Sequence, residues 1–269
     1  MDTTSSATLN TRRIVIAGVL SAIAILLGWT RIGYIPVPNL AANATIMHVP
    51  AIIGGVLEGW LVGGMVGFIF GLSSFALATI PLFKNPLVAI VPRLFIGVTA
   101  YLAYRAIRQA NERVMLAVAA LGGALVTIFI TVLLRMSSQA IGDTVVQMIE
   151  QQTSADEARR WFDSLLLQQD LVLVLAALVG GGVAVGLAYL ALRVSGEYLA
   201  LVIAAVVGTL TNTVLVLGLA GLLNYIPWSL MPPILLTNAL PEIIVAVILV
   251  VAVVTAFKRI ETGTREARM

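Results

Sequence analysis

Apolar residues fill this chain in long runs, broken by short polar stretches rich in Pro, Asn, Gly and Arg. A helix that crosses a bilayer needs about 20 apolar residues. Runs of that order occupy 12–29, 60–79, 86–107, 113–135, 170–193, 198–222 and 236–258. A further run, 48–58, is too short to span alone; it ends at Glu58-Gly59 and predicts a short or tilted helix leading almost directly into the next. The pattern predicts an all-α polytopic membrane protein, a helical bundle of eight membrane segments. The short alternating segments of a membrane β-barrel are absent from the sequence.

One stretch breaks the pattern. In 139–168, Val145, Met148, Ile149 and then Trp161, Phe162, Leu165 and Leu166 recur at helical spacing among Gln, Asp and Glu. Ser154 followed three residues later by Glu157 is a capping box, so a helix is expected to start there. Two amphipathic helices on the outer membrane surface and a solvated hairpin both satisfy this pattern.

Composition agrees with a membrane protein: 60% of the 269 residues are hydrophobic and 11% are charged. With no cysteine and one histidine, neither a thiolate nor a histidine-based metal site is expected, and no cofactor is indicated. Arg12 and Arg13 precede an apolar run in which Ala22-Ile23-Ala24 resembles a signal-peptidase site. That triplet lies mid-run, so the run is read as a retained first span. With both termini placed in the cytoplasm, the flanking Lys and Arg divide ten inside to five outside, in keeping with the positive-inside rule. The basic excess thus reports topology and not nucleic-acid binding.

Against the apolar background, polar residues inside the runs stand out, since a charge at mid-bilayer costs about 3 kcal/mol or more. Arg93 follows Pro92 inside 86–107, a helix that Asn85 caps and Pro86 starts. Glu242 lies near the expected start of the last span, where the helix dipole favours a carboxylate. Arg93 and Glu242 either pair with each other or face a ligand cavity; Asn212 is a third polar contributor or an interhelical hydrogen-bonding group. Glu58 lies nearer an edge. Gly59, Gly63, Gly67 and Gly71 recur every four residues and strip one helix face to backbone, which permits close approach by another backbone or a ligand. His48 and Ser73 do not make a convincing base and nucleophile, because Gly-Leu-Ser-Ser-Phe lacks the second glycine of a nucleophile elbow. No phosphate-binding loop occurs, so the chain itself is not expected to be an ATPase or another enzyme.

The stretch TIMHVPAIIGGVLEGWLVGGMVGFIFGLSS (Thr45–Ser74) resembles the substrate-binding S components of energy-coupling factor (ECF) vitamin transporters. NPLVAIVPRLFIG (Asn85–Gly97), GTLTNTVLVLGL (Gly208–Leu219) and NALPEIIVA (Asn238–Ala246) extend the resemblance in the same order. It implies one membrane domain over 1–269 that captures a water-soluble vitamin from outside and works with a membrane T subunit and two cytoplasmic ATPases. It also implies that small residues on the first helix, here Ala17-xxx-Ser21 and Gly18-xxx-Ala22, dock onto the T subunit. Such proteins usually have six helices, so 110–195 reads as an inserted transmembrane hairpin carrying the outer amphipathic helices. Many relatives have Gly-Pro where this chain has Gly59-Trp60.

The expected cavity draws on 39–48, 73–85, Arg93, Asn212 and 225–242. Its candidate substrate contacts are Asn43, His48, Ser74, Lys84, Arg93, Asn212, Trp228, Asn238 and Glu242. One buried cation among Asn, His and Ser suits a carboxylate of modest size. Pantothenate is the first expectation, with riboflavin or a pyridoxine-like compound next. The alternative is a stand-alone secondary transporter of a small anion in which Glu242 and Glu58 carry protons.

Overall fold

The computed structural model describes residues 10–36, 43–128, 131, 169–189, 192 and 196–266. The amphipathic stretch 139–168 lies outside the described residues. The chain divides into two compact units, Met1–Gln109 with Gly196–Met269, and Ala110–Ser195.

In the first unit, helix α1 (Thr11–Trp29) starts where the Asn10 side chain accepts a hydrogen bond from the Arg13 amide. Two short strands follow, β1 (Tyr34–Pro36) and β2 (Asn43–Thr45), paired antiparallel with Tyr34 opposite Thr45. Helix α2 (Val49–Glu58) and helix α3 (Trp60–Ala76) are separated by Gly59 alone. Gly59 has φ +100°, a conformation open to glycine and strained for other residues. A single 3₁₀ turn, Pro81–Lys84, leads to α4 (Pro86–Arg108), which is capped by the Asn85 side chain with Pro86 at the first helical position. Both features of that start are the ones the sequence predicts.

The second unit contains a helix running through 112–128 (α5) and α6 (Gln169–Tyr189). They meet at small residues, with Gly123 against Gly180 and Ala184. The chain then returns to the first unit through α7 (Gly196–Leu222) and the long α8 (Met231–Glu266).

Helix α4 lies along both α3 and α7, and α2 fills the centre of the first unit. The core gathers Ile52, Val62, Val66, Phe70, Ile96, Leu201, Val250 and Val254 from α2, α3, α4, α7 and α8. Large apolar side chains on outward faces, among them Ile14, Val19 and Leu26 on α1 and Ile244 and Ile248 on α8, are exposed; lipid is the solvent that such faces suit.

Eight membrane segments are not supported. Among the described residues four helical stretches are long and apolar enough to cross a membrane: Thr11–Trp29, Pro86–Arg108, Gly196–Leu222 and Thr237–Glu261. Val49–Glu58, Trp60–Ala76 and Ala176–Tyr189 are apolar but shorter. An apolar run records burial, whether in lipid or in protein, and α2 is covered by its neighbours, so it reads like a span without having a span's length.

The glycine face closes the bundle. A Cβ on Gly63 would come within 2.7 Å of the Gly55 Cα and 2.8 Å of the Gly97 Cα. The backbones of α2, α3 and α4 therefore touch at one point. One turn and two turns further on, Gly67 abuts the Arg93 carbonyl and Gly71 lies against the Ile90 backbone. Gly63, Gly67 and Gly71 are packing positions, whereas Gly59 is the joint between two helices.

Charged residues cluster at the ends of the helices. Arg12 pairs with Glu58 at 3.0 Å and with Glu261 at 2.7 Å. Arg108 pairs with Glu197 at 2.8 Å, and Lys258 binds the same carboxylate. These contacts join the ends of α1, α2, α4 and α8 to the start of α7.

Candidate substrate-binding site

A cavity of about 510 Å³ lies in the first unit, at the end of the helices away from those ion pairs. Its wall includes Tyr34, Asn43 and Thr45 of the hairpin, and Phe70, Ser73 and Ser74 of α3. Thr79, Ile80, Leu82, Phe83, Arg93 of α4, Asn212 and Thr213 of α7, and Tyr225–Pro227 with Asn238 and Glu242 also line it.

Arg93 is placed by its neighbours in sequence. Pro92 has no N–H, so the Val88 carbonyl one turn earlier loses its helical donor. The Arg93 guanidinium replaces that donor: Nη1 donates to the Val88 carbonyl at 2.6 Å. The guanidinium also lies over the Phe83 ring at 4.8 Å and the Phe70 ring at 5.7 Å, a cation–π environment. Gly67 lets α3 approach the Arg93 backbone directly. Although buried, Arg93 keeps Nε without a hydrogen-bond partner among the described residues. An arginine offers five N–H donors, and an unused buried donor is costly unless something fills it.

Glu242 is held differently. One carboxylate oxygen accepts the Thr45 amide at 2.8 Å and the other accepts the Thr213 hydroxyl at 3.1 Å. It thereby ties the hairpin to α7 and α8. Thr213 also bonds the Thr209 carbonyl, and the Thr209 hydroxyl meets His48 Nε2 at 2.9 Å. Helix α8 begins at Met231, so Glu242 is well inside the helix. Hydrogen bonds, and not the helix dipole expected from sequence, support its carboxylate. No ion pair joins Arg93 to Glu242 among the described residues. The Asn212 side chain is buried and its Oδ1 has no partner among the described residues.

Asn43, Ser74, Arg93, Asn212, Asn238 and Glu242 all line this one cavity. Three other candidates do not. His48 is fully buried and bonded to Thr209, Lys84 is exposed on the 3₁₀ turn, and Trp228 is exposed with its ring against Gly221. The Ser73 hydroxyl donates to the Phe70 carbonyl at 2.8 Å, so Ser73 and His48 bond to separate partners. Tyr34, Thr45, Phe70, Phe83 and Thr213 belong to the wall and were not singled out from sequence. Phe70 and Phe83 are ordinary apolar residues in an apolar chain, and their residue type carried no signal.

The small residues of α1 divide into two faces. Ala17 and Ser21 are buried against the bundle, while Gly18 and Ala22 point outward, with open space around Gly18. Glu58, conspicuous in sequence, is held by Arg12 and by Arg13 at 3.7 Å.

Residues 12–159 match the family described as the substrate-specific component of ECF transporters. The chain is also similar to the pantothenic acid transporter PanT of Lactococcus lactis subsp. cremoris (strain MG1363), with 32% identity over 99 residues. That similarity covers 29% of this chain and 49% of the relative, so the chain spans about half the length of the curated relative it matches. With more than half of its length matched by the family, the chain belongs to the substrate-specific components of ECF transporters.

Proposed function

We propose that this protein is the subunit that captures pantothenate for uptake through an ECF transporter. The observation that carries the reading is Arg93: a buried guanidinium in the cavity wall, flanked by two aromatic rings, with an N–H unused. A carboxylate bound there gains a charge-assisted hydrogen bond in a dry setting. Asn43, Ser74, Asn212 and Asn238 supply hydrogen bonds for hydroxyl and amide groups elsewhere on the ligand. The relative named for pantothenic acid transport supports the same substrate. Riboflavin and pyridoxine-like compounds are disfavoured, since neither carries a carboxylate for Arg93.

In this reading the chain sits in a prokaryotic plasma membrane with both termini in the cytoplasm. A T subunit and two ATPases power release. The outward pair Gly18 and Ala22 is the docking face on α1, since Ala17 and Ser21 are already buried within the chain. The proton-coupled alternative is less well supported, because Glu58 is engaged by Arg12 and Arg13 and Glu242 by Thr45 and Thr213.

The test is mass spectrometry of small molecules released from the purified, detergent-solubilised protein, followed by calorimetry with a vitamin panel. Pantothenate bound near one to one supports the reading. Tight binding of a different vitamin, or of none, refutes it.

A further inference from the structure

The charges in the cavity wall are sparse and matched. Among the described residues that line it, Arg93 is the one cation and Glu242 the one carboxylate. They are not paired with each other, and they sit on different helices, α4 and α8. The cavity thus has one cationic wall, where Arg93 lies over the Phe70 and Phe83 rings, and a second polar wall that includes Asn212 and Glu242, the latter accepting from Thr213. Asn212 Oδ1 is buried with no partner among the described residues, so that second wall calls for a ligand hydroxyl or amide N–H.

We propose that Glu242 is a specificity-determining residue which, with the single cation Arg93, admits monoanions bearing neutral hydroxyl or amide donors and rejects their phosphate esters. This rests on the proposed pantothenate reading and goes beyond it. A ligand carboxylate takes Arg93, and the hydroxyl end of the ligand faces Asn212 and Glu242. Phosphorylation of that hydroxyl removes a donor and adds a dianion beside a carboxylate. No second cation among the described wall residues offsets it, and burying an uncompensated charge is strongly unfavourable. The carrier therefore takes the unphosphorylated vitamin, and phosphate esters must be cleaved by a phosphatase reaction before uptake.

The experiment displaces radiolabelled pantothenate from the purified full-length chain with unlabelled pantothenate or with its phosphate monoester at the hydroxyl end. Wild type and Glu242→Gln are compared. Gln keeps the size of Glu and its Oε1 still accepts from the Thr45 amide, so the hairpin tie is retained. In wild type the ester is expected to compete at least about 100-fold more weakly than the vitamin. In Glu242→Gln that deficit shrinks by about tenfold, because a like charge at close range is removed. An ester that competes within about threefold of the vitamin in wild type overturns the proposal, and that comparison needs no variant to fold. A deficit unchanged in Glu242→Gln removes Glu242 from the discrimination. If pantothenate itself does not bind, the substrate reading fails and this proposal falls with it; if pantothenate binds and its ester binds equally, this proposal alone fails.

Discussion

Replacing Gly67 by Ala tests how the glycine face serves the site. A methyl group there collides with the Arg93 carbonyl, and the Leu94 Cα lies 3.5 Å away. The obstacle is helical backbone and cannot rotate aside. Two neighbouring positions calibrate the effect. At Gly71 the Cβ would sit 2.8 Å from the Ile90 Cα, where 3.4 Å is ordinary contact, so α4 must recede by about 0.6 Å there. The collision at Gly67 is closer, so the displacement is larger. At Gly64 the nearest neighbour is the Val98 side chain at 3.4 Å, which accepts a methyl group. Overpacking of this kind typically costs about 1–3 kcal/mol. Because the part of α4 that moves carries Arg93, ligand affinity falls as well as stability. Gly67→Ala is expected to lower the thermal unfolding midpoint in detergent and to weaken pantothenate binding by about tenfold or more, an amount that corresponds to about 1.4 kcal/mol. Gly64→Ala is expected to match wild type in both assays. The reasoning is refuted if Gly67→Ala and Gly64→Ala are indistinguishable in midpoint and in Kd.

Other perturbations separate joint, network and docking face. Gly59→Ala forces a side chain into a positive-φ extended conformation (φ +100°, ψ 175°) essentially restricted to glycine and is expected to destabilise by about 1–3 kcal/mol, read by thermal unfolding. Thr213→Val keeps the side-chain shape but removes the hydroxyl donor to Glu242; a loss of about 1–3 kcal/mol is expected, and an unchanged midpoint contradicts the assigned hydrogen bond. Leu at both Gly18 and Ala22 is expected to leave pantothenate binding intact and to abolish uptake when the partner subunits are present, whereas Ala17→Leu is expected to impair folding because Ala17 is buried. Uptake that survives the double Leu replacement excludes this face from docking.

Much of the site was legible because polar side chains in apolar runs are costly and therefore conspicuous. Arg93, Asn212, Asn238 and Glu242 stood out in this way, and all four line the cavity. The four-residue glycine repeat likewise marked where backbones meet, although it hid the distinct role of Gly59. His48, Lys84 and Trp228 do not line the cavity, and residue type does not reveal direction. His48 points to Thr209, and the other two face outward. The role of Pro92 needed coordinates, since freeing the Val88 carbonyl matters only if a nearby donor reaches it. The count of membrane segments failed at α2, an apolar run of ten residues buried in protein, and at Trp60–Ala76 and Ala176–Tyr189, which are apolar but short.

Arg93 bears the central claim most directly. The measurement is calorimetric binding of pantothenate, and of the alcohol analogue in which a hydroxymethyl group replaces the carboxylate, to wild type and Arg93→Ala, with folding checked by size-exclusion chromatography. Wild type is predicted to prefer pantothenate over the alcohol by about 100-fold, since a buried charge pair broken on one side costs about 3 kcal/mol. Arg93→Ala is predicted to bind both weakly and alike. A wild-type protein that binds the two compounds equally, or a folded Arg93→Ala protein that keeps the preference, contradicts the account.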